Sequence, residues 1–193
     1  MNAPRTGILF LLLFLPGVTA SDWPQWRGPA RDGHVPAGEA VPSTLPTEAK
    51  VLWRVKVGEG LASPVVVGGK VFYSDAQGGQ ETAHAVNATD GKEFWRTNVD
   101  KLHSDFQSAP GPRCTPVVDG DRVYFQSCMG ELRCLDAGTG AMRWHVNYPQ
   151  DFGEPFLSAS VLLECTVRFK TQQANRKKQR RRRSLGMKRR RGN

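Results

Sequence analysis

Four cysteines are the side chains of this chain most able to form cross-links or bind a metal: Cys114, Cys128, Cys134 and Cys165. No two of them have the Cys-x-x-Cys spacing that is typical of zinc sites. An even number of cysteines suits a protein with disulfides in an oxidising compartment. A Cys114–Cys128 bridge is conceivable, and unpaired structural cysteines are an equal alternative.

The histidines and carboxylates show no pattern of a catalytic or metal site. The four histidines are scattered along the chain: His34, His84, His103 and His145. No serine, histidine and carboxylate have a spacing that supports a triad. Asp90 and Asp136 lie in turn sequences, so we interpret them as turn residues. The sequence predicts no catalytic residue and no metal ligand, and it leaves cofactor-binding residues undetermined.

A stretch of about 35 residues occurs twice and organises the chain. Ser63 to Tyr73 reads SPVVVGGKVFY, and Thr115 to Phe125 reads TPVVDGDRVYF. The ends of the two copies also match, because Asn87 to Arg96 reads NATDGKEFWR and Asp136 to His145 reads DAGTGAMRWH. The first copy carries three extra residues in its middle.

Each copy has the composition of four short antiparallel strands joined by glycine-containing turns. In the second copy we predict strands at 116–118, 123–127, 132–135 and 142–146. Four strands in a unit of this length are typical of a β-propeller blade. We therefore predict an all-β partial propeller with two blades, 63–99 and 115–148, and the start of a third at 156–163. Residues 51–57 match the fourth strand of each copy and predict a lone closing-type strand.

These repeats resemble those of the PQQ-like (pyrroloquinoline-quinone-type) β-propellers. Thr115 to Trp144 follows that family's pattern of a Pro-Val-Val opening, a Gly turn and a Leu-Asp-Ala-x-Thr-Gly-x-x-x-Trp ending. The resemblance covers about residues 51 to 148 and implies an N-terminal fragment of a propeller, which we do not expect to be a self-sufficient fold.

The resemblance implies two alternative functions. One is a non-catalytic scaffold that binds unknown protein partners, similar to the scaffold subunit of the outer-membrane β-barrel assembly machine. The other is the N-terminal part of a quinoprotein dehydrogenase, with PQQ and calcium at the central ends of the blades. Dehydrogenases of this family carry an adjacent Cys-Cys pair, which this sequence lacks. We therefore favour the scaffold and expect no cofactor.

The first 50 residues predict export followed by an ordered leader. Residues 1–20 contain Arg5, an apolar run from Ile8 to Leu15 and a small-residue cleavage site before Ser21, which is typical of a signal peptide. The apolar run is too short for a membrane anchor. A periplasmic or secreted location follows. Residues 21–50 are rich in Trp, Pro and Gly, and we expect them to pack beside the propeller.

Residues 165–193 differ in composition from the rest of the chain. The chain has 27 Lys and Arg against 18 Asp and Glu, and eleven of the basic residues lie in 175–193. Without these eleven the balance is 16 against 18, so the high isoelectric point belongs to the tail. Such a block is predicted to be disordered. Nucleic acid or an anionic surface could bind through this tail, although we interpret it as adventitious.

Overall fold

The computed structural model describes residues 21–39, 41–44, 46–48, 50–104 and 109–152, and within them the chain forms two four-stranded sheets and one short helix. The first sheet contains β1 (Val65–Val67), β2 (Lys70–Gln77), β3 (Gln80–Asn87) and β4 (Glu93–Lys101). The second contains β5 (Val117–Asp119), β6 (Arg122–Gln126), β7 (Glu131–Asp136) and β8 (Met142–Asn147), and α1 (Tyr148–Phe152) follows. Neighbouring strands are antiparallel and in chain order. The predicted all-β pair of blades is confirmed.

The two sheets share their register as well as their order. Val65 pairs with Phe72 in the first sheet, and Val117 pairs with Tyr124 in the second. Each sheet also has a bulge near the end of its third strand, at Ala85/Val86 and at Cys134/Leu135. The three extra residues of the first copy lengthen the β2–β3 hairpin relative to β6–β7.

The main core lies between the two sheets, because alternate residues of each strand point to opposite faces. It contains ten buried residues: Val65, Phe72, Ala83, Ala85, Trp95, Val99, Val118, Val123, Phe125 and Leu135. A smaller cluster covers the opposite face of the second sheet and contains Tyr124, Leu132, Cys134 and Val146. Trp95 packs at the centre of the main core, with its ring 6.0 Å from that of Phe72 and 6.4 Å from that of Phe125.

Two sequence predictions differ from the structure. Residues 51–57 form no strand, because no neighbouring strand among the described residues supplies the ladder of backbone hydrogen bonds. Trp144, which its equivalence to Trp95 predicts to be largely buried, is only partly buried. Trp144 lies on the face of the second sheet that points away from the first, so no core of the kind around Trp95 forms over it.

Several predicted segments lie outside the described residues. They are the signal peptide at 1–20, the start of a third blade at 156–163 and the basic tail at 165–193. Within the part of the chain that is described, no helix is long and apolar enough to cross a membrane.

Candidate functional site: the leader and the blade junctions

Trp53 ties the segment before the first blade to that blade. Its indole Nε1–H donates to the carbonyl oxygen of Ala88 at 2.9 Å. Its ring lies directly over Gly91, where a Cβ atom would come within 2.8 Å of the ring. Gly91 has a φ of +72°, which glycine adopts without steric cost. The side chain therefore docks on the turn between β3 and β4.

Trp95 makes the same contact one blade further along the chain. Its Nε1–H donates to the carbonyl oxygen of Ala137 at 3.3 Å, and its ring lies over Gly140, which also has a φ of +72°. The Thr97 hydroxyl adds a bond to the Gly140 carbonyl oxygen at 3.0 Å. Residues 51–57 thus keep the side-chain contact of a fourth strand although they have no strand ladder. We call this segment the arm.

The leader lies along the first strands of both sheets. The Trp23 backbone exchanges two hydrogen bonds with Val66 in β1, at 2.7 and 3.0 Å. The next residue, Pro24, accepts a bond from the Val118 backbone N–H in β5 at 2.8 Å. The first strands are the inner strands of propeller blades, which surround a central channel. The leader backbone therefore occupies the inner edge of both blades.

Residues 25–33 of the leader form a loop without regular secondary structure. The Trp23 ring lies over Gly28, where a Cβ atom would come within 2.7 Å. Arg27 and Arg31 both have φ near +60°, an uncommon conformation for residues other than glycine. Side-chain bonds within the loop, including Arg31 Nε to Gln25 Oε1 at 2.8 Å, hold this conformation.

His84 is the centre of a hydrogen-bonded polar cluster in the first blade, and its side chain is buried. Its Nε2 lies 3.0 Å from Asp75 Oδ1, and its Nδ1 lies 3.0 Å from Glu93 Oε2. The Tyr73 ring stacks on His84 at 4.7 Å, and burial together with the two carboxylates raises the pKa of Tyr73 to about 12.

This cluster also holds the arm to the blade, because Asp75 Oδ2 accepts the Gly58 backbone N–H at 2.7 Å. In the sequence His84 is one of four scattered histidines. The one local signal is that Asp75 and His84 both lie inside strands, and their contact depends on the β2–β3 register. The geometry is that of a structural hydrogen-bond cluster.

A second polar cluster lies at the junction between the blades. Glu81 in β3 is 1% exposed and pairs across the sheet with Asp100 in β4. The Cys128 backbone N–H contacts both Glu81 carboxylate oxygens at 3.3 Å. The Ser127 hydroxyl donates to Asp100 Oδ2 at 2.6 Å. Burial raises the pKa of Glu81 to about 7.

The cysteines in the described residues do not form the conceivable Cys114–Cys128 bridge. The Cys128 thiol is buried and donates to the Gly111 carbonyl oxygen at 3.0 Å. Burial and the neighbouring Glu81 carboxylate raise its pKa to about 12, so the reactive thiolate is disfavoured. Cys134 is a buried thiol in the smaller cluster. Cys165 lies outside the described residues.

The other residues that the sequence singled out have local roles. Asp136 accepts the backbone N–H groups of Gly138 and Thr139, each at 2.9 Å, and Asp90 accepts that of Lys92. His145 is exposed on the blade surface, and its Nδ1 lies 3.0 Å from Glu131 Oε1. His34 is exposed, and His103 is partly buried. Among the residues with described positions, no three His, Cys, Asp or Glu side chains are placed to hold a metal ion.

The repeated blades and their shared register agree with a comparison to known families. The model of the family described as outer membrane protein assembly factor BamB matches residues 39–171. The chain belongs to this family. Its match extends from the end of the leader through both blades, so this PQQ-like repeat family accounts for the two sheets and their docking tryptophans.

Solved structures to which the chain is similar include two dehydrogenases and a BamB protein. Quinohemoprotein alcohol dehydrogenase from Comamonas testosteroni is 21% identical, with 70% of this chain and 21% of that chain covered and a TM-score of 0.44. BamB from Moraxella catarrhalis is 19% identical, with 60% and 28% covered and a TM-score of 0.32. A europium-containing methanol dehydrogenase is 16% identical, with 48% and 16% covered and a TM-score of 0.36. The chain thus spans under a third of these structures. No curated protein matches it.

Proposed function

We propose that this BamB-family chain is part of an exported, non-catalytic β-propeller that acts as a protein-interaction scaffold. The observation that carries this proposal is the position of the leader. Trp23 and Pro24 bond to Val66 and Val118, the middle residues of the two inner strands. The inner edge of both blades is therefore occupied by the chain's own backbone.

The alternative is the N-terminal part of a PQQ-dependent dehydrogenase. That function needs a quinone and a calcium ion at the central ends of the blades, as the resemblance implies. What supports the scaffold over this alternative is that leader backbone takes up hydrogen-bonding positions on the inner strands, at Val66 and Val118. The polar clusters around His84 and Glu81 face the blade interior and the blade junction, where their hydrogen bonds are made within the protein.

The arm is the element that best suits a binding partner. Three apolar side chains of the arm and one that follows it closely are more than half exposed: Val51, Leu52 and Val57, and then Leu61. Residues 51–57 make no backbone hydrogen bond to another described residue. An extended segment with these properties can pair with a strand of a partner, and the apolar side chains would add to its affinity.

The two functions are separated by a cofactor test. The full chain is incubated with PQQ and Ca²⁺ and then examined for bound quinone absorbance and for dye-linked alcohol oxidation. The scaffold proposal expects neither signal, and bound quinone with alcohol oxidation would overturn it. A photo-cross-linker at Leu52, compared with one at exposed Val41 in the leader, tests whether the arm binds protein in a periplasmic extract.

Export and the basic tail are tested separately. We propose a periplasmic or secreted location, which cell fractionation with residues 1–20 present or deleted would check. Binding of nucleic acid or anionic vesicles through the tail would weaken with salt and disappear on deletion of residues 176–193. Such binding in the intact chain, together with a cytoplasmic location, would contradict the proposal of an exported scaffold.

A further inference from the structure

Two carboxylates of the first blade face each other at its junction with the second blade. Glu81 and Asp100 are directly opposite on β3 and β4, and like charges in this relationship destabilise a sheet. Glu81 is buried, so water cannot screen the repulsion between its carboxylate and that of Asp100. A carboxylate buried in this way favours its neutral form unless strong donors surround it.

The donors to this pair come from consecutive residues of the second blade. The Ser127 hydroxyl makes a short bond of 2.6 Å to Asp100, whereas the Cys128 backbone N–H is shared between the two Glu81 oxygens at 3.3 Å each. Asp100 also accepts the Lys101 backbone N–H at 2.8 Å. Asp100 is therefore well satisfied as an anion, and Glu81 is poorly satisfied as one.

The remaining charged group that acts on Glu81 is Arg113, in the segment that connects the blades. Its positive charge favours the ionised form, and the Asp100 charge opposes it. Burial is nevertheless the largest influence on Glu81. The Cys128 thiol stays protonated over the same range and does not compete for the proton.

We propose that Glu81 is a proton-binding site that couples the two blades, so that their junction is tightest when Glu81 is neutral and loosens as the pH rises. The neutral carboxyl still accepts the Cys128 N–H and no longer repels Asp100. When Glu81 is ionised, its carboxylate either stays buried between the blades or moves away from residues 127 and 128. The second outcome opens the junction.

The direction of the pH effect follows from linkage. The pKa of Glu81 rises from an ordinary value of 4.5 to about 7 in the folded chain. Between these values the folded state binds more protons than the unfolded state, so stability falls as the pH increases. One proton makes the unfolding equilibrium constant rise about tenfold per pH unit within this window, and the effect levels off above it.

The test measures this equilibrium constant in the full chain between about pH 5 and about pH 8, by chemical denaturation. Glu81→Gln keeps the size of the side chain and removes the titration. Glu59→Gln is the matched control, because Glu59 is exposed and bonds to the first blade through its backbone carbonyl oxygen, which accepts the Ala76 N–H. We expect the unfolding equilibrium constant to rise steeply with pH in the wild type and in Glu59→Gln. In Glu81→Gln this pH dependence should be lost. Equal slopes in all three proteins would overturn the proposal.

A second measurement applies even if Glu81→Gln does not fold. Asp100→Asn removes the opposing charge, so the pH at which the wild-type dependence levels off should move lower by a measurable fraction of a unit. Infrared difference spectra of the folded wild type should also show a buried carboxyl that loses its proton near pH 7. A Glu81 carboxyl that is already ionised near pH 5 would overturn the proposal.

Discussion

Trp53 and Trp95 make equivalent contacts on successive blades, donating through Nε1–H to the carbonyl oxygens of Ala88 and Ala137. Each ring also lies over a glycine of the same turn, at Gly91 and Gly140. Among the described residues the arm that carries Trp53 has no strand ladder, whereas Trp95 lies in β4. The two tryptophans thus dock in the same way from segments of different backbone structure.

Gly140→Ala should destabilise the junction strongly. A Cβ atom there would come within 2.6 Å of the Trp95 ring, at a φ of +72°. We expect a loss of about 2–5 kcal/mol, from about 1–2 for the left-handed backbone and about 1–3 for overpacking. Urea denaturation measures it. The control is Gly120→Ala, which has a similar φ of +60° and no atom within 4 Å of the added Cβ. Equal losses in the two variants would show that ring contact is unimportant.

Trp95→Ala should cost more than Trp144→Ala although the two residues occupy equivalent repeat positions. Trp95 is 8% exposed in the main core, so its removal should cost about 3–5 kcal/mol. Trp144 is only partly buried, and about 1–2 kcal/mol is expected. The denaturation midpoints of the two variants, measured at one pH, compare their losses of stability. A larger effect at Trp144 would contradict the assignment of the main core to the junction between the two sheets.

His84→Leu should destabilise the first blade because it removes the His84 contact of Asp75 Oδ1 in a site where the Asp75 side chain is 3% exposed, and the bonds from Gly58 and Gln77 reach only Oδ2. Removing one partner of a buried pair costs about 3–5 kcal/mol. His145→Leu is the matched control, since this histidine is half exposed and Glu131 keeps bonds from Arg133 and Asn147. Its cost should be about 0–1 kcal/mol. Thermal unfolding of both variants would reveal whether the two histidines differ in this way.

Arg143→Ala should raise the pKa of Asp136. Hydrogen bonds from Arg143 and from Thr139 lower the pKa of Asp136 to about 2, from an ordinary value of 3.8. A lowered pKa stabilises the folded state above about pH 4, and this contribution disappears as the pH falls through about 2. Carboxyl carbon NMR of the wild type and the variant measures the titration directly.

Asp32 provides the comparison for this experiment, because the hydrogen bond from the His34 backbone N–H lowers its pKa without any contribution from Arg143. Its titration should not change in Arg143→Ala. An Asp136 titration that stays at the wild-type pH in the variant would mean that the turn's backbone donors alone hold the carboxylate.

The sequence by itself determined the two described blades, their strands and their family. Repetition, β-branched runs and glycine turns are local properties, and the strands of β5 to β8 lie within two residues of their predicted bounds. The Pro-Val-Val openings and the terminal tryptophans were sufficient to indicate PQQ-like repeats, and the family match confirms them.

Only the tertiary structure decided which side chains meet. His84 and Asp75 are partners because of the β2–β3 register, and Glu81 meets Cys128 because the blades pack face to face. The arm reads as a fourth strand in the sequence, yet a strand exists only where a neighbour supplies its hydrogen bonds. Trp95 and Trp144 have the same local pattern, but burial depends on what packs over each ring, and this is a property of distant residues rather than of the repeat.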